Sequence, residues 1–262
     1  MHQLYGIAFS HYVEKARWAL DRFGVPYRDR RYLPFVHMVA LHHLHRGRQN
    51  HTNKISSRYS TPVLITPGGG IVPESAAIVR YVSERFARDE DGLYPTPEVD
   101  DLEQRFHDAL GPHTRRAAYG FLFERPDLLR RVVEENVSLA QARLFRVARP
   151  IAVRGLRRVL AIDEAGVARS MDKTRREFAW VSERLTDGRD FLVGSRFSAA
   201  DLAFAALAAP ALLPSGYSAW LPEVDALPAR ARALTRELRD TPAGRFALGL
   251  YESERRRVML PR

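Results

Sequence analysis

Cysteine is absent from this 262-residue chain. That absence excludes disulfides, thiolate metal clusters, CxxC redox chemistry and a cysteine nucleophile, and it fits a reducing compartment. Lysine is scarce as well, occurring only at Lys15, Lys54 and Lys173, so arginine supplies nearly all of the 41 basic residues. Set against 31 acidic residues, this leaves a formal net charge of +10. No hydrophobic run is long enough to cross a bilayer; the longest, around 203–209, is alanine-rich and bounded by Asp201 and Pro210. Met1 leads directly into a strand-like run rather than a charged and then apolar leader. The expectation is a soluble, cytoplasmic protein with no membrane partner. Carboxylates are missing from the whole stretch between Asp29 and Glu74.

What is present is the composition of a globular protein, with 45% hydrophobic and 27% charged residues, not that of a disordered or collagen-like chain. The arginines are spread along the chain in pairs and triplets, such as Arg115-Arg116, Arg130-Arg131, Arg157-Arg158 and Arg255-Arg256-Arg257. Distributed in this way they read as a solvated helical surface, and a nucleic-acid partner is not expected.

The first 86 residues alternate strand and helix signals. Residues 3–9 form a short apolar run. Ser10 then stands at a helix-cap position, followed by Val13, Ala16, Leu20 and Phe23 at a period near 3.6 until Gly24 ends the helix. A second extended piece runs from Val25 to Leu33, and a short helix is expected over 36–45. Two apolar runs, 62–66 and 71–72, flank Pro67-Gly68-Gly69-Gly70. These glycines link two strands, and no Gly-Lys-Ser follows, so they read as a hairpin turn and not a phosphate loop. Glu74-Ser75 caps a helix carrying Ile78, Val82 and Phe86. The acidic segment 87–99, with Gly92, Pro95 and Pro97, reads as a linker. Beyond it strand signals vanish, and amphipathic helices are expected over 100–123, 127–149, 168–186, 198–213, 226–240 and 243–257, with Pro150 and Pro210 among the breaks. The order β-α-β-α-β-β-α followed by helices alone predicts a small mixed α/β sheet domain (1–86), a linker (87–99) and an all-α domain (100–262).

Three local motifs sit on this frame: Ser10-His11-Tyr12-Val13-Glu14-Lys15-Ala16-Arg17, Thr61-Pro62-Val63-Leu64, and Pro73-Glu74-Ser75-Ala76-Ala77-Ile78-Val79-Arg80-Tyr81. In this order and spacing, with Phe191-Leu192-Val193-Gly194 and Asp201-Leu202-Ala203 further on, the chain resembles the cytosolic glutathione S-transferases of bacterial type, with serine at the catalytic position. The resemblance implies a thioredoxin-like N-terminal domain, an all-helical C-terminal domain and a homodimer. It also implies glutathione as cosubstrate, whose thiolate is added to a hydrophobic electrophile between the domains in a detoxification reaction. With no cysteine in the protein, the sulfur must come from the cosubstrate, and a glutaredoxin-like reductase is excluded. The alternative is a non-catalytic protein of the same fold that engages a protein or nucleic-acid partner through its basic surface.

Carried over residue by residue, the resemblance makes Ser10 the catalytic hydroxyl. A hydrogen bond from it to a thiolate at a helix N-terminus would lower the thiol's pKa; the same residue could equally cap the helix. Thr61, before a Pro62 that is cis in the family, would pair with the cysteinyl backbone. Ser75 would bind the γ-glutamyl carboxylate and Glu74 the ammonium, although the pair also suits simple capping. The family's basic residue just before its Val-Pro is displaced here, leaving Lys54 or Arg58 for the glycyl carboxylate. His11 replaces the usual Pro. Aligned on Lys15-Ala16-Arg17-Trp18, the tyrosine used by other members falls near Gly6, so neither Tyr5 nor Tyr12 occupies it. His11, Tyr12, Arg116 and Tyr119 would line the second-substrate pocket. Seven of the nine histidines lie within the first 51 residues, and His42 and His45 could share a helical face. With no carboxylate nearby to complete a ligand set, no metal is expected. Ser198 and Asp201 read as a capping box before an apolar helix.

Overall fold

The computed structural model describes residues 1–45, 59–88 and 91–256. Strands β1 (His2–Ile7), β2 (Tyr27–Tyr32), β3 (Val63–Ile65) and β4 (Ile71–Pro73) form a mixed sheet in the order β2-β1-β3-β4. β1 pairs parallel with β2, and His2 faces Tyr27; β3 runs antiparallel to both β1 and β4. The parallel pair needs a crossover, which α1 (His11–Arg22) provides. The glycine-rich turn joins β3 to β4 as a hairpin. Helix α2 (Val36–His45) lies on one face, where Leu41 meets Val63 and Ile65. On the other face Leu4 and Leu64 pack on Val13, Ala16 and Leu20 of α1 and on Ile78 and Val82 of α3 (Ser75–Phe86). The period-2 alternation along β1 and β3 is what sends neighbouring residues to opposite cores. This arrangement matches the α/β thioredoxin-like half of the expected fold.

The remainder is helical: α4 (Pro97–Ala109), α5 (Gly111–Glu124), α6 (Pro126–Asn136), α7 (Leu139–Val159), α8 (Glu164–Arg184), α9 (Ala199–Leu212), α10 (Ala229–Arg239) and α11 (Pro242–Leu250), closed by a π-helical turn at Tyr251–Arg255. The alanine-rich run that is too short to span a bilayer is the central helix α9, buried throughout from Ala199 to Ala209. Its small side chains let neighbouring helices approach, and Phe204 meets Phe106 and Phe178 at ring separations of 5.2 and 5.5 Å. No helix among the described residues is long and apolar enough to cross a membrane.

Several helix boundaries differ from the sequence-based expectation. The expected helix 100–123 is two helices, because Pro112 cannot donate to the Asp108 carbonyl and the chain turns at Leu110. The expected helix 127–149 is also divided, at Val137-Ser138, where Ser138 caps α7. Pro150 does not end α7, and Pro210 lies inside α9. Pro150 is exposed, so the carbonyl it deprives of a donor can turn to water. Within the segment read as a linker, α4 already begins at Pro97, and Leu93 is fully buried with its N–H on Ser83 Oγ at 2.8 Å.

Helix α1 is buried from His11 to Leu20 although it carries Glu14, Lys15 and Arg17. Each charge has a partner. Glu14 pairs with Arg255 at 3.0 Å with neither side chain exposed, Lys15 reaches Glu103 at 2.6 Å, and Arg17 reaches Asp29 at 3.0 Å. Arg255 also binds Asp21 at 2.7 Å. Two of these partners, Glu103 and Arg255, lie beyond the sheet domain, so the ion pairs fasten the two halves of the molecule together.

Asp201 performs the capping role read from the sequence. Its carboxylate accepts from Ser198 N–H at 2.8 Å, Ser198 Oγ at 2.7 Å and Leu192 N–H at 2.7 Å, which ties the preceding loop to the start of α9. Burial nevertheless pushes its carboxyl up to about 6. Asp201→Ala strands two buried N–H groups, and its expected cost is about 3 kcal/mol; a urea unfolding midpoint equal to wild type would refute this. Arg255→Met leaves Glu14 as an uncompensated buried charge and should destabilise by about 3–5 kcal/mol. The double variant Glu14→Gln/Arg255→Met should recover part of that loss in the same titration.

Candidate functional site

A cavity of about 660 Å³ opens where the N-termini of α1 and α3 face the α5–α6 wall. From the sheet domain it is lined by Ser10, His11, Tyr12, Thr61, Glu74 and Ser75. From the helical domain come Arg115 and Tyr119 of α5, Leu128 and Val132 of α6, and Val159 and Leu160 at the end of α7. The end of α7 therefore contributes wall to the cavity. One side of the cavity presents hydroxyls and helix N-termini, and the other is largely aliphatic and aromatic.

Ser10 occupies the N-cap position of α1, but its side chain makes no capping hydrogen bond. The backbone does the turning instead: Ser10 N–H donates to Ile7 carbonyl at 3.0 Å, and Ser10 carbonyl accepts from Glu14 N–H at 2.9 Å. The hydroxyl is thus left facing the cavity beside the positive end of a helix. Gly6 sits just behind this corner. A Cβ there would overlap Val13, so the close fit of α1 on β1 leaves no room for a side chain. Tyr5 points the other way and stacks on Tyr32 at 6.0 Å.

The Thr61-Pro62 bond is cis. The Pro62 carbonyl accepts from Glu74 N–H at 3.0 Å, which joins the two loops at the cavity floor. Glu74 has φ 63 and ψ 151, a backbone region occupied almost only by glycine, and it makes no side-chain cap for α3. That conformation lets the next residue enter the helix with its N–H and hydroxyl turned into the cavity. Ser75 is 1% exposed, yet its Oγ has no hydrogen-bond partner among the described residues. A buried hydroxyl left unpaired at a helix N-terminus is a ready seat for an anion.

His11 and Tyr12 touch the cavity but are also engaged by the break between α4 and α5. His11 Nε2 donates to Gly111 carbonyl at 2.9 Å, and Tyr12 hydroxyl donates to His107 carbonyl at 3.1 Å. Gly111 is required there, since a Cβ would overlap the Tyr12 ring. Burial, reinforced by the Arg115 charge, holds His11 down to about 3, while burial pushes Tyr12 up to about 12. Both are neutral near pH 7. Tyr119, also raised to about 12 by burial, stands on the wall beside Phe9 at a ring separation of 6.3 Å.

Arg116 does not join the cavity wall. Its guanidinium donates to Leu160 carbonyl at 2.7 Å and Ser170 Oγ at 3.1 Å, which fastens the end of α7 and helix α8 to α5. Arg115 takes the position expected for Arg116. Both stand one helical turn from Tyr119, at i−4 and i−3, so spacing alone could not choose between them. His107 and the α6 residues were likewise missed. No motif marks them, and only the packing of the helices brings them to the cavity wall. Lys54 and Arg58 lie outside the described residues, as does the side chain of His45. His42 Nδ1 lies 3.4 Å from Tyr59 hydroxyl, and no group of three metal-ligating side chains occurs among the described residues.

The fold and cavity define a class: a thioredoxin-like domain joined to a helical bundle, with a ligand-sized cleft at their junction. Residues 4–90 match the family described as glutathione S-transferase, N-terminal domain, and residues 134–215 match glutathione S-transferase, C-terminal domain. The chain belongs to the glutathione S-transferase family. No curated protein matches it. A glutathione S-transferase of Ceriporiopsis subvermispora, solved in complex with glutathione, is similar in structure at 20% identity and TM-score 0.60, covering 97% of each chain. One from Xanthobacter autotrophicus aligns at 17% identity and TM-score 0.58, covering 97% of this chain and 93% of that one. One from Rhodospirillum rubrum aligns at 17% and 0.54, covering 97% and 99%. At such identities the likeness is one of fold.

The neutral state of buried His11 couples stability to pH. Its folded pKa of about 3 lies below the ordinary 6.5, so the unfolded chain binds the extra proton. Stability is then fully present above about pH 6.5 and declines as pH falls toward 3, by up to about 1.4 kcal/mol per pH unit from this residue. Urea midpoints measured between pH 7 and 5 should fall, and His11→Gln should flatten that fall. An equal pH dependence in the variant would refute the assignment.

Proposed function

We propose that the protein is a glutathione transferase which binds glutathione on its thioredoxin-like domain and adds the thiolate to a hydrophobic electrophile held in the cavity. The observation that carries this reading is a pair of hydroxyls at helix N-termini lining one cavity: Ser10 Oγ, free of any capping bond, and buried Ser75 Oγ, without a hydrogen-bond partner among the described residues. Two anion seats on the same wall suit a ligand carrying a thiolate at one point and a carboxylate at another. The family's solved member with glutathione bound supports the same ligand.

On this reading Ser10 donates its hydrogen bond to the sulfur, favouring the charged form, and the α1 N-terminus adds its partial positive charge. The backbone of Thr61, exposed beside Pro62, pairs with the cysteinyl unit in the manner of an added strand. Ser75 takes the γ-glutamyl carboxylate and Glu74 faces the ammonium, with Lys54 or Arg58 at the glycyl end. In the reaction a carbon–sulfur bond forms, the leaving group departs with its bonding pair, and the thiol proton passes to solvent. No residue of the protein is modified, in keeping with the lack of cysteine. The division into residues 1–86 and 100–262, a homodimeric assembly, a cytoplasmic location and a detoxifying role accompany the proposal.

Ser10→Ala should raise the pKa of bound glutathione, read from its thiolate ultraviolet absorbance. It should also lower kcat/KM with 1-chloro-2,4-dinitrobenzene about 10²-fold, while retention on immobilised glutathione persists. A thiol pKa and turnover equal to wild type would remove Ser10 from the mechanism.

A further inference from the structure

Among the described residues, the cavity wall carries one fixed positive charge. Arg115 is the only arginine or lysine lining it among the described residues, and it is half-buried. The three histidines on the same wall, His11, His37 and His107, are all held toward the neutral form by burial. Neighbouring arginines on these helices are matched: Arg105 forms two bonds to Glu177, and Arg116 is spent on Leu160 carbonyl and Ser170. Among the described residues no ion pair or hydrogen bond engages Arg115. The guanidinium carbon lies 5.7 Å from the Tyr12 ring centroid.

A counterion from elsewhere in the chain is hard to supply. Glu74 and Asp108 also border the cavity, yet neither pairs with Arg115. Residues 46–58 contain no carboxylate. A half-desolvated guanidinium beside an apolar wall gains most from an anion that arrives with the ligand.

We infer that Arg115 selects electrophiles bearing an anionic group (a carboxylate, sulfonate or phosphate), and holds that group while the apolar body lies along Tyr119, Leu128 and Val132. This rests on the transferase reading for the reaction, but the binding preference is a property of the cavity and can be measured without turnover.

The test compares 4-chloro-3-nitrobenzoate with 4-chloro-3-nitrobenzamide, which share a reacting carbon and differ in charge. Calorimetry without glutathione should show tighter binding of the benzoate to wild type. Arg115→Gln should reduce that preference about 10- to 100-fold, the range of a charge-assisted hydrogen bond, and Arg115→Lys should keep most of it. With glutathione, the benzoate-to-benzamide ratio of kcat/KM, corrected for each compound's uncatalysed rate, should fall by the same factor in Arg115→Gln. Equal binding of the two compounds by wild type would overturn the inference. So would an unchanged ratio in Arg115→Gln, or an equal loss for both compounds through a higher KM for glutathione. If wild type turns over neither compound, the transferase reading fails and the calorimetric preference alone decides the role of Arg115.

Discussion

The burial of α1 is the constraint on which the rest of the molecule depends. A helix carrying Glu14, Lys15 and Arg17 enters the interior only because each charge meets an opposite one there. Removing charges from water is expensive, and the attraction offsets that cost only when geometry is good and both partners are present. Because Glu103 and Arg255 come from the helical domain, the ion pairs that make α1 tolerable also set the angle between the two halves. Ser218 adds to this by donating its backbone N–H to Glu14 at 3.2 Å and its hydroxyl to the same carboxylate. Ser10, at the head of α1, inherits its position from that network.

A second constraint is the break between α4 and α5. A straight helix through Leu110 would engage the carbonyls of His107 and Gly111 differently and would leave no recess for the aromatic ring of Tyr12. With the bend, those two carbonyls accept Tyr12 and His11, and the first turn of α1 is clamped to the helical domain. Three sequence features meet at this point: a proline that lacks a donor, a glycine that lacks a Cβ, and the residues following Ser10. The same bend rotates α5 so that Arg115 and Tyr119 look into the cavity and Arg116 looks out of it.

Around the cavity, local rules are broken in the same place. Glu74 adopts a glycine-like backbone without being glycine, and Ser75 buries a hydroxyl that has no partner among the described residues. Some helices elsewhere are capped by side chains, with Ser138, Asp163 and Thr241 each accepting from the backbone three residues on, while α4, α5, α6 and α10 have no such cap. The helices that begin at the cavity, α1 and α3, forgo such caps. The buried Ser75 hydroxyl, at a helix N-terminus on the cavity and without a hydrogen-bond partner among the described residues, points to a ligand as the missing partner.

Much of this was legible in the sequence where the signal is local. Period-2 and period-3.6 apolar spacing, the Pro/Gly turn before Ile71 and the cap before Ala199 depend on near neighbours, so β-α-β-α-β-β-α and the helical remainder could be read directly. The motifs around Ser10, Thr61 and Glu74-Ser75 could be read for the same reason. Partnerships across a hundred residues or more could not. Nothing near Lys15 names Glu103, nothing near Glu14 names Arg255, and the choice between Arg115 and Arg116 turns on where Ser170 and Leu160 stand. Sequence alone determined the elements, their order and the polar half of the cavity, because those follow from the preferences of adjacent residues. Only the tertiary structure decided the facing wall and the pairing of buried charges, because rotation of one packed helix against another is set by contacts that no local pattern encodes.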